Sequence, residues 1–176
     1  MRVPLVAAAT IAAATLVHGP APGTADVKLA AQLRQIFPNA SSFSGRIGAP
    51  PHFEAYGAGP SAPTMLVGLA FWTTDLDPLE RGYDGPIKTL VGLDMAGTIT
   101  GIVVADHHEP YGYFSVDTPS FAAQFAGKSV RDPFRVGGDV DAVSRATLTV
   151  TSATRAIRNS ARRVASRLIP PPRKKD

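Results

Sequence analysis

Residues Asp141-Ala142-Val143-Ser144-Arg145-Ala146-Thr147 set a carboxylate, two hydroxyls and a guanidinium within a seven-residue stretch. Leu148-Thr149-Val150-Thr151-Ser152 adds further hydroxyls, Gly137-Gly138 precedes, and a basic, helix-like tail follows. A helix start leaves backbone N–H groups unpaired and carries the positive end of the helix dipole, so a phosphate group fits there. The Thr147 hydroxyl is also an oxygen that a phosphoester can use, provided it is exposed and its neighbours are small, as Ser144 and Ala146 are. The same residues suit an ordinary Ser/Thr-rich loop that caps a helix. Spacing alone leaves both readings open.

A second group is His107-His108-Glu109-Pro110. Adjacent side chains on an extended strand point to opposite faces, so the two histidines make a poor chelating pair and no metal site is expected. A third is the loop Arg81-Gly82-Tyr83-Asp84-Gly85-Pro86, which reads either as backbone brought up to a ligand or as a strand-entry turn. Trp72, Tyr111, Tyr113 and Phe114 have the rings to stack on a ligand, but their apolar context predicts core positions. The chain has no dinucleotide fingerprint, no phosphate-binding P-loop and no convincing Ser-His-Asp order.

Several elements must position these groups. Leu29, Leu33, Ile36 and Phe37 recur at helical spacing over Lys28–Phe37, and Pro38-Asn39 ends the pattern. Residues 38–63 read as a Gly/Pro-rich loop, pinned by Phe43, Phe53 and Tyr56, with room for a short strand near Phe53–Tyr56. Thr64–Thr73 is a continuous apolar run and predicts a strand buried on both faces. Ile87–Asp94 and Thr98–Asp106 flank Asp94-Met95-Ala96-Gly97 as a hairpin, which completes a three-strand meander. Thr118-Pro119-Ser120 opens a short helix through Phe125, and Val130–Val136 is a strand or loop. The last helix is expected to begin near Thr151-Ser152. Its apolar face is Ala153, Ala156, Ile157, Ser160, Ala161, Val164 and Leu168, and Arg155, Arg158, Arg162, Arg163 and Arg167 form a solvated or partner-docking face. The predicted class is α+β, a single domain with an antiparallel, curled sheet packed with helices and a basic amphipathic C-terminal helix.

Composition bounds the chemistry. The 176 residues suit one domain, and 44% hydrophobic residues are enough for a core. The absence of cysteine excludes disulfides, thiol catalysis and cysteine-held iron–sulfur clusters. The net charge of +4 is uneven: residues 1–144 carry 9 basic and 13 acidic side chains, whereas residues 145–176 carry 9 basic side chains and one acid, Asp176. No nucleic-acid motif accompanies the basic tail, so nucleic acid is not an expected partner. At the other end, Met1-Arg2 precedes an uncharged apolar run, Val3 to Val17, and Gly23-Thr24-Ala25 offers small residues for cleavage before Asp26. That is the layout of a secretory signal peptide, too short for a typical membrane span. The expected organisation is a signal peptide over 1–25, a helix and loop over 26–63, the main domain over 64–169 and a basic tail over 170–176. The expected location is periplasmic or otherwise exported, with membrane association an option.

Asp141-Ala142-Val143-Ser144-Arg145-Ala146-Thr147 resembles the Asp-x-x-Ser/Thr-Gly-Ala-Thr motif of the FMN-binding domain family, which includes the RnfG and NqrC subunits and the periplasmic domain of NosR/NirI proteins. Arg81–Pro86, Leu90–Asp94, Gly97–Gly101, His107–Pro110 and Asn159–Ala165 resemble the NosR/NirI branch in the same order. The resemblance implies FMN as cofactor, joined to Thr147 by a phosphoester. It implies Asp141, Ser144 and Ala146 as motif support, with Arg145 a possible phosphate partner. It further implies His108, Tyr83 and Gly85 near the flavin. Its implied partners are a magnesium-dependent flavin transferase that uses FAD as donor, and a membrane or periplasmic redox partner. The implied role is electron transfer rather than catalysis by the chain itself. The alternative is a flavin-free binding or maturation factor for a periplasmic redox enzyme. One residue departs from the motif: Arg145 stands where the family has Gly, which bears on whether the flavin is bound covalently.

Overall fold

A computed structural model describes residues 24–58 and 65–170. The expected signal segment and basic tail fall largely outside the described residues. The elements run α1 (Thr24–Ile36), β1 (Ala40–Phe43), β2 (Phe53–Gly57), β3 (Met65–Trp72), α2 (Thr73–Leu76), β4 (Lys88–Asp94), β5 (Ile99–Asp106), α3 (Pro119–Ala123) and α4 (Thr147–Leu168). The strands form one antiparallel sheet in chain order, β1-β2-β3-β4-β5. The fold is therefore α+β, and register shifts in β1/β2, β2/β3 and β4/β5 give the sheet its curl. The three-strand meander predicted from sequence is its central and far part, and β1 and β2 extend it across the segment read as a loop.

Both faces of the sheet are covered, which explains the unbroken apolar run of β3. Side chains alternate across a strand. Ala70 and Leu90 therefore face α1, where they pack with Leu33, Ile36, Phe37 and Phe53. Leu69, Phe71, Val91 and Leu93 face the other way and pack with Val150, Ala153, Ile157, Ala161 and Val164 of α4. Phe121, Phe125, Phe134 and Val140 fill the rest of that second core. The β4–β5 hairpin closes on Gly97, whose φ of +83° is one that L side chains rarely adopt. The Asp94 carboxylate accepts from the N–H groups of Ala96 (2.9 Å) and Thr98 (2.7 Å) and fixes that turn.

Three expectations need correction. First, α4 starts at Thr147, not near Thr151, because the hydroxyl-rich stretch is already helical and buries Thr149, Val150 and Ser152. Second, the arginine face of α4 is only partly solvated. Arg162 donates from Nε to the Val130 carbonyl (2.9 Å) and from Nη2 to the Asp132 carbonyl (2.8 Å), and Arg163 donates to the Leu76 carbonyl. Arg155 pairs with Glu80 at 3.2 Å. These arginines fasten the 76–80 and 130–132 segments to the helix. Third, Tyr111 and Tyr113 are exposed, because the 3-10 turn Gly112–Phe114 holds them outward while Ser115 and Val116 are buried.

Candidate functional site

The site is built where three distant segments meet at the start of α4. Its centre is the carboxylate of Glu109, which is 6% exposed and follows the end of β5. This carboxylate accepts the backbone N–H of Tyr83 (3.0 Å) and of Asp84 (2.8 Å), and the hydroxyl of Thr149 in the first turn of α4. Burial works to raise the Glu109 pKa. The Thr149 hydroxyl, the Asp84 and Tyr83 N–H groups and nearby His107 outweigh it, so the carboxyl sits below its ordinary value and is charged at neutral pH. Gly82 makes the approach possible, since a Cβ there would lie 2.4 Å from Glu109 Oε1. The 81–86 loop itself is closed by a bond from the Gly82 N–H to the Gly85 carbonyl (2.7 Å), with Gly85 at φ +112°.

The two histidines diverge. His107 accepts the Glu109 N–H at Nδ1 (3.0 Å), which leaves Nε2 as the protonated nitrogen facing Asp117 Oδ1 at 2.8 Å. His107 therefore braces the turn that carries Glu109. His108 is exposed.

Beside this cluster lies a cleft of about 160 Å³ lined by Tyr83, Pro110, Tyr111, Arg145, Ala146, Leu148 and Thr149. Of the residues predicted from sequence, the structure brings Tyr83, Arg145 and Ala146 to this cleft. Thr147 is exposed and stands in the chain between two of its lining residues. Asp141 and Ser144 are exposed on the incoming loop, where the Asp141 N–H donates to Gln124 Oε1 (2.6 Å). His108 and Gly85 are outside the cleft lining. Sequence reasoning missed Glu109 and Thr149 as the organising pair, and Leu148 and Pro110 as lining.

Arg145 has φ +69°, one of two positive-φ residues among the described non-glycines. The backbone therefore takes the left-handed turn that glycine favours, and it does so with a side chain attached. Ala146 then occupies the N-cap of α4 and has no side chain to cap it, so the first-turn N–H groups receive no side-chain cap. The Thr147 hydroxyl makes only a long contact of 3.4 Å, to the Val143 carbonyl. Positive helix end, guanidinium, exposed hydroxyl and apolar walls from Tyr83, Tyr111 and Leu148 fit a flavin phosphate and part of its ring system.

Comparison with known proteins agrees with this chemistry. Residues 82–162 match the FMN-binding domain family. The chain is also similar to the G subunit of the ion-translocating oxidoreductase complex of Vibrio vulnificus, at 32% identity over 89 residues, covering 45% of this chain and 42% of the relative. The corresponding protein of Escherichia coli K12 is 32% identical over 89 residues, covering 45% and 43%, and that of Photorhabdus laumondii is 32% identical over 94 residues, covering 48% and 43%. The matched part spans less than half the length of these relatives. That match indicates FMN binding by this segment.

Proposed function

We propose that this FMN-binding domain carries its flavin covalently on the Thr147 hydroxyl and relays electrons within a membrane-associated redox chain on the exported side of the membrane. The observation that carries the reading is the size of the cleft beside an exposed hydroxyl. Pockets that hold a cofactor by burial run to roughly 300–1,000 Å³, and this cleft offers about 160 Å³. It accepts only part of FMN, so a covalent tether at its edge supplies the retention that burial does not. Thr147 is exposed and is flanked in the chain by the lining residues Ala146 and Leu148, which supports it as the hydroxyl for that tether.

In this reading a magnesium-dependent transferase delivers the flavin from FAD. The Thr147 Oγ would bond to the flavin-side phosphorus of FAD, the bond from that phosphorus to the oxygen of the AMP half would break, and AMP would depart with that oxygen and the hydroxyl proton. The chain gains one FMN less one water. When bound, the flavin supplies one- and two-electron redox chemistry. The residues of this chain would hold and orient it: Arg145 would neutralise the phosphate, the α4 N-terminus would add its dipole, and Tyr83, Tyr111 and Leu148 would pack its apolar surface. Glu109 keeps Tyr83 and the α4 start together. The relatives from Vibrio vulnificus and Escherichia coli belong by name to an ion-translocating oxidoreductase complex, which supports a redox partner of that kind. Residues 1–25 have the composition of an export signal, which supports delivery to the periplasm.

The test is intact mass after expression with the flavin transferase and export. The expected result is an increase of one FMN minus water that survives denaturation and is absent in Thr147→Ala. Colour that is lost on denaturation replaces the covalent reading with a non-covalent one. No flavin in either state overturns the carrier reading.

A further inference from the structure

A second polar cavity, of about 380 Å³, lies between the 133–136 loop and the outer face of α4. Its lining includes Arg135, Thr151, Arg155 and Arg158, with Phe134 and Val136 behind them. Three arginines and a threonine line this one hollow. Of the three, only Arg155 has a carboxylate partner among the described residues, Glu80 at 3.2 Å. Arg158 has only long contacts, 3.3 Å from Nε and from Nη2 to its neighbour Asn159 Oδ1. No hydrogen bond from the Arg135 guanidinium or the Thr151 hydroxyl is found among the described residues.

The loop that presents Arg135 is held firmly. Phe134 adopts φ +52°, a left-handed backbone state that is strained for a residue with a side chain. The Asp139 carboxylate counteracts this by accepting the N–H groups of Phe134 (3.1 Å) and Arg135 and by pairing with Lys128 at 3.0 Å. The Phe134 ring is buried against Phe125. A loop held by these contacts therefore sets Arg135 opposite Arg155 and Arg158 of α4, and the strained backbone at Phe134 is of a kind that clusters at ligand sites.

We infer that this cavity is an anion site for a phosphate-bearing ligand, with Arg135, Arg155, Arg158 and Thr151 as its donors. A planar carboxylate presents two oxygens in one plane and is satisfied by one or two guanidinium forks. Three guanidiniums and a hydroxyl offer donors in more directions, which a tetrahedral phosphate can use. The volume exceeds that of a single phosphate ion, so the ligand carries more than one phosphate or an organic body. Thr151 lies about one helical turn beyond Thr147, yet the two hollows share no lining residue. The site is separate from the flavin cleft and does not depend on the flavin reading.

The test is a titration of the isotope-labelled full chain with pyrophosphate, and in parallel with citrate, at physiological salt, followed by amide chemical shifts. Pyrophosphate should shift Arg135, Thr151, Arg155 and Arg158. The double variant Arg135→Gln/Arg158→Gln should bind more than about tenfold more weakly. Arg167→Gln, altered in the last turn of α4, should bind as the parent does, and Arg135→Lys should retain part of the affinity. Unchanged thermal melting of each variant shows that the fold is intact. Citrate binding as tight as pyrophosphate overturns the phosphate class. Shifts spread evenly over Arg162, Arg163 and Arg167, unaltered binding in the double variant, or no shifts at all overturn the site. Competition between pyrophosphate and FMN overturns its separateness from the flavin cleft.

Discussion

Thr149 donates its hydroxyl hydrogen bond to the Glu109 carboxylate across 40 residues of chain. The same carboxylate holds the N–H groups of Tyr83 and Asp84. A charged acceptor with three donors is expected to leave a large deficit when it is altered, because each bond to a charged group contributes about 1.5–3 kcal/mol. Glu109→Gln is predicted to destabilise the protein by roughly 2–3 kcal/mol, and chemical denaturation measures it.

The same contact gives a pH dependence. The folded-state pKa of Glu109 lies below its ordinary value of 4.5. Its contribution is therefore present in full above the unfolded pKa and is lost as pH falls through the folded value. Stability of the parent should decline below about pH 4.5, with a shallower decline in Glu109→Gln. Parallel melts from pH 7 to pH 3 read the difference, and identical slopes would remove Glu109 as the cause.

Gly82 is predicted to tolerate no side chain. A methyl group there would lie 2.4 Å from Glu109 Oε1, the buried oxygen that accepts the Asp84 N–H. Gly82→Ala should cost about 1–3 kcal/mol and should broaden or shift the amide signals of Tyr83 and Asp84.

Arg145 separates backbone shape from side-chain charge. Arg145→Gly should raise stability by about 0.5 kcal/mol, since it relieves the left-handed backbone while giving the unfolded chain more freedom. Arg145→Val should lower it, because a branched side chain at positive φ is strained further. If the guanidinium serves the phosphate, Arg145→Gly loses affinity for free FMN while gaining stability. A titration by flavin fluorescence beside a thermal melt reads the two effects separately.

Arg162 anchors the loop after α3 through two carbonyls. Arg162→Ala is predicted to cost roughly 1–2 kcal/mol and to speed amide hydrogen exchange over residues 128–134. Arg162→Lys should not restore the parent behaviour, since a single ammonium lacks the planar fork.

The parts of the fold legible in the sequence are those governed by local period. The apolar run of β3, the hairpin around Gly97, the Thr118 cap of α3 and the apolar face of α4 follow from patterns within a few residues. The polar edge strand β1, Ala40-Ser41-Ser42-Phe43, carries no such pattern and forms because β2 offers it a partner. The start of α4 lies earlier than its residues suggest because Thr147, Thr149, Val150 and Thr151 are weak helix formers, and packing of Val150 into the core overrides that preference. Glu109 is hidden in the sequence because its partners are backbone groups 25 and 26 residues away and a hydroxyl 40 residues away. The only local hint is a carboxylate beside two histidines.

The stretch that matches the FMN-binding domain family begins at residue 82 and ends at 162, and the two-sided sheet gives this boundary a consequence. Within the stretch lie β4, β5 and most of α4, but not β3, which pairs along one edge of β4, nor α1, which covers Leu90. A fragment cut at those limits would leave a row of unpaired peptide groups and an apolar face open to water. The matched segment and the folded unit thus have different borders in this chain: what folds is the segment from 82 to 162 together with the scaffold that precedes it.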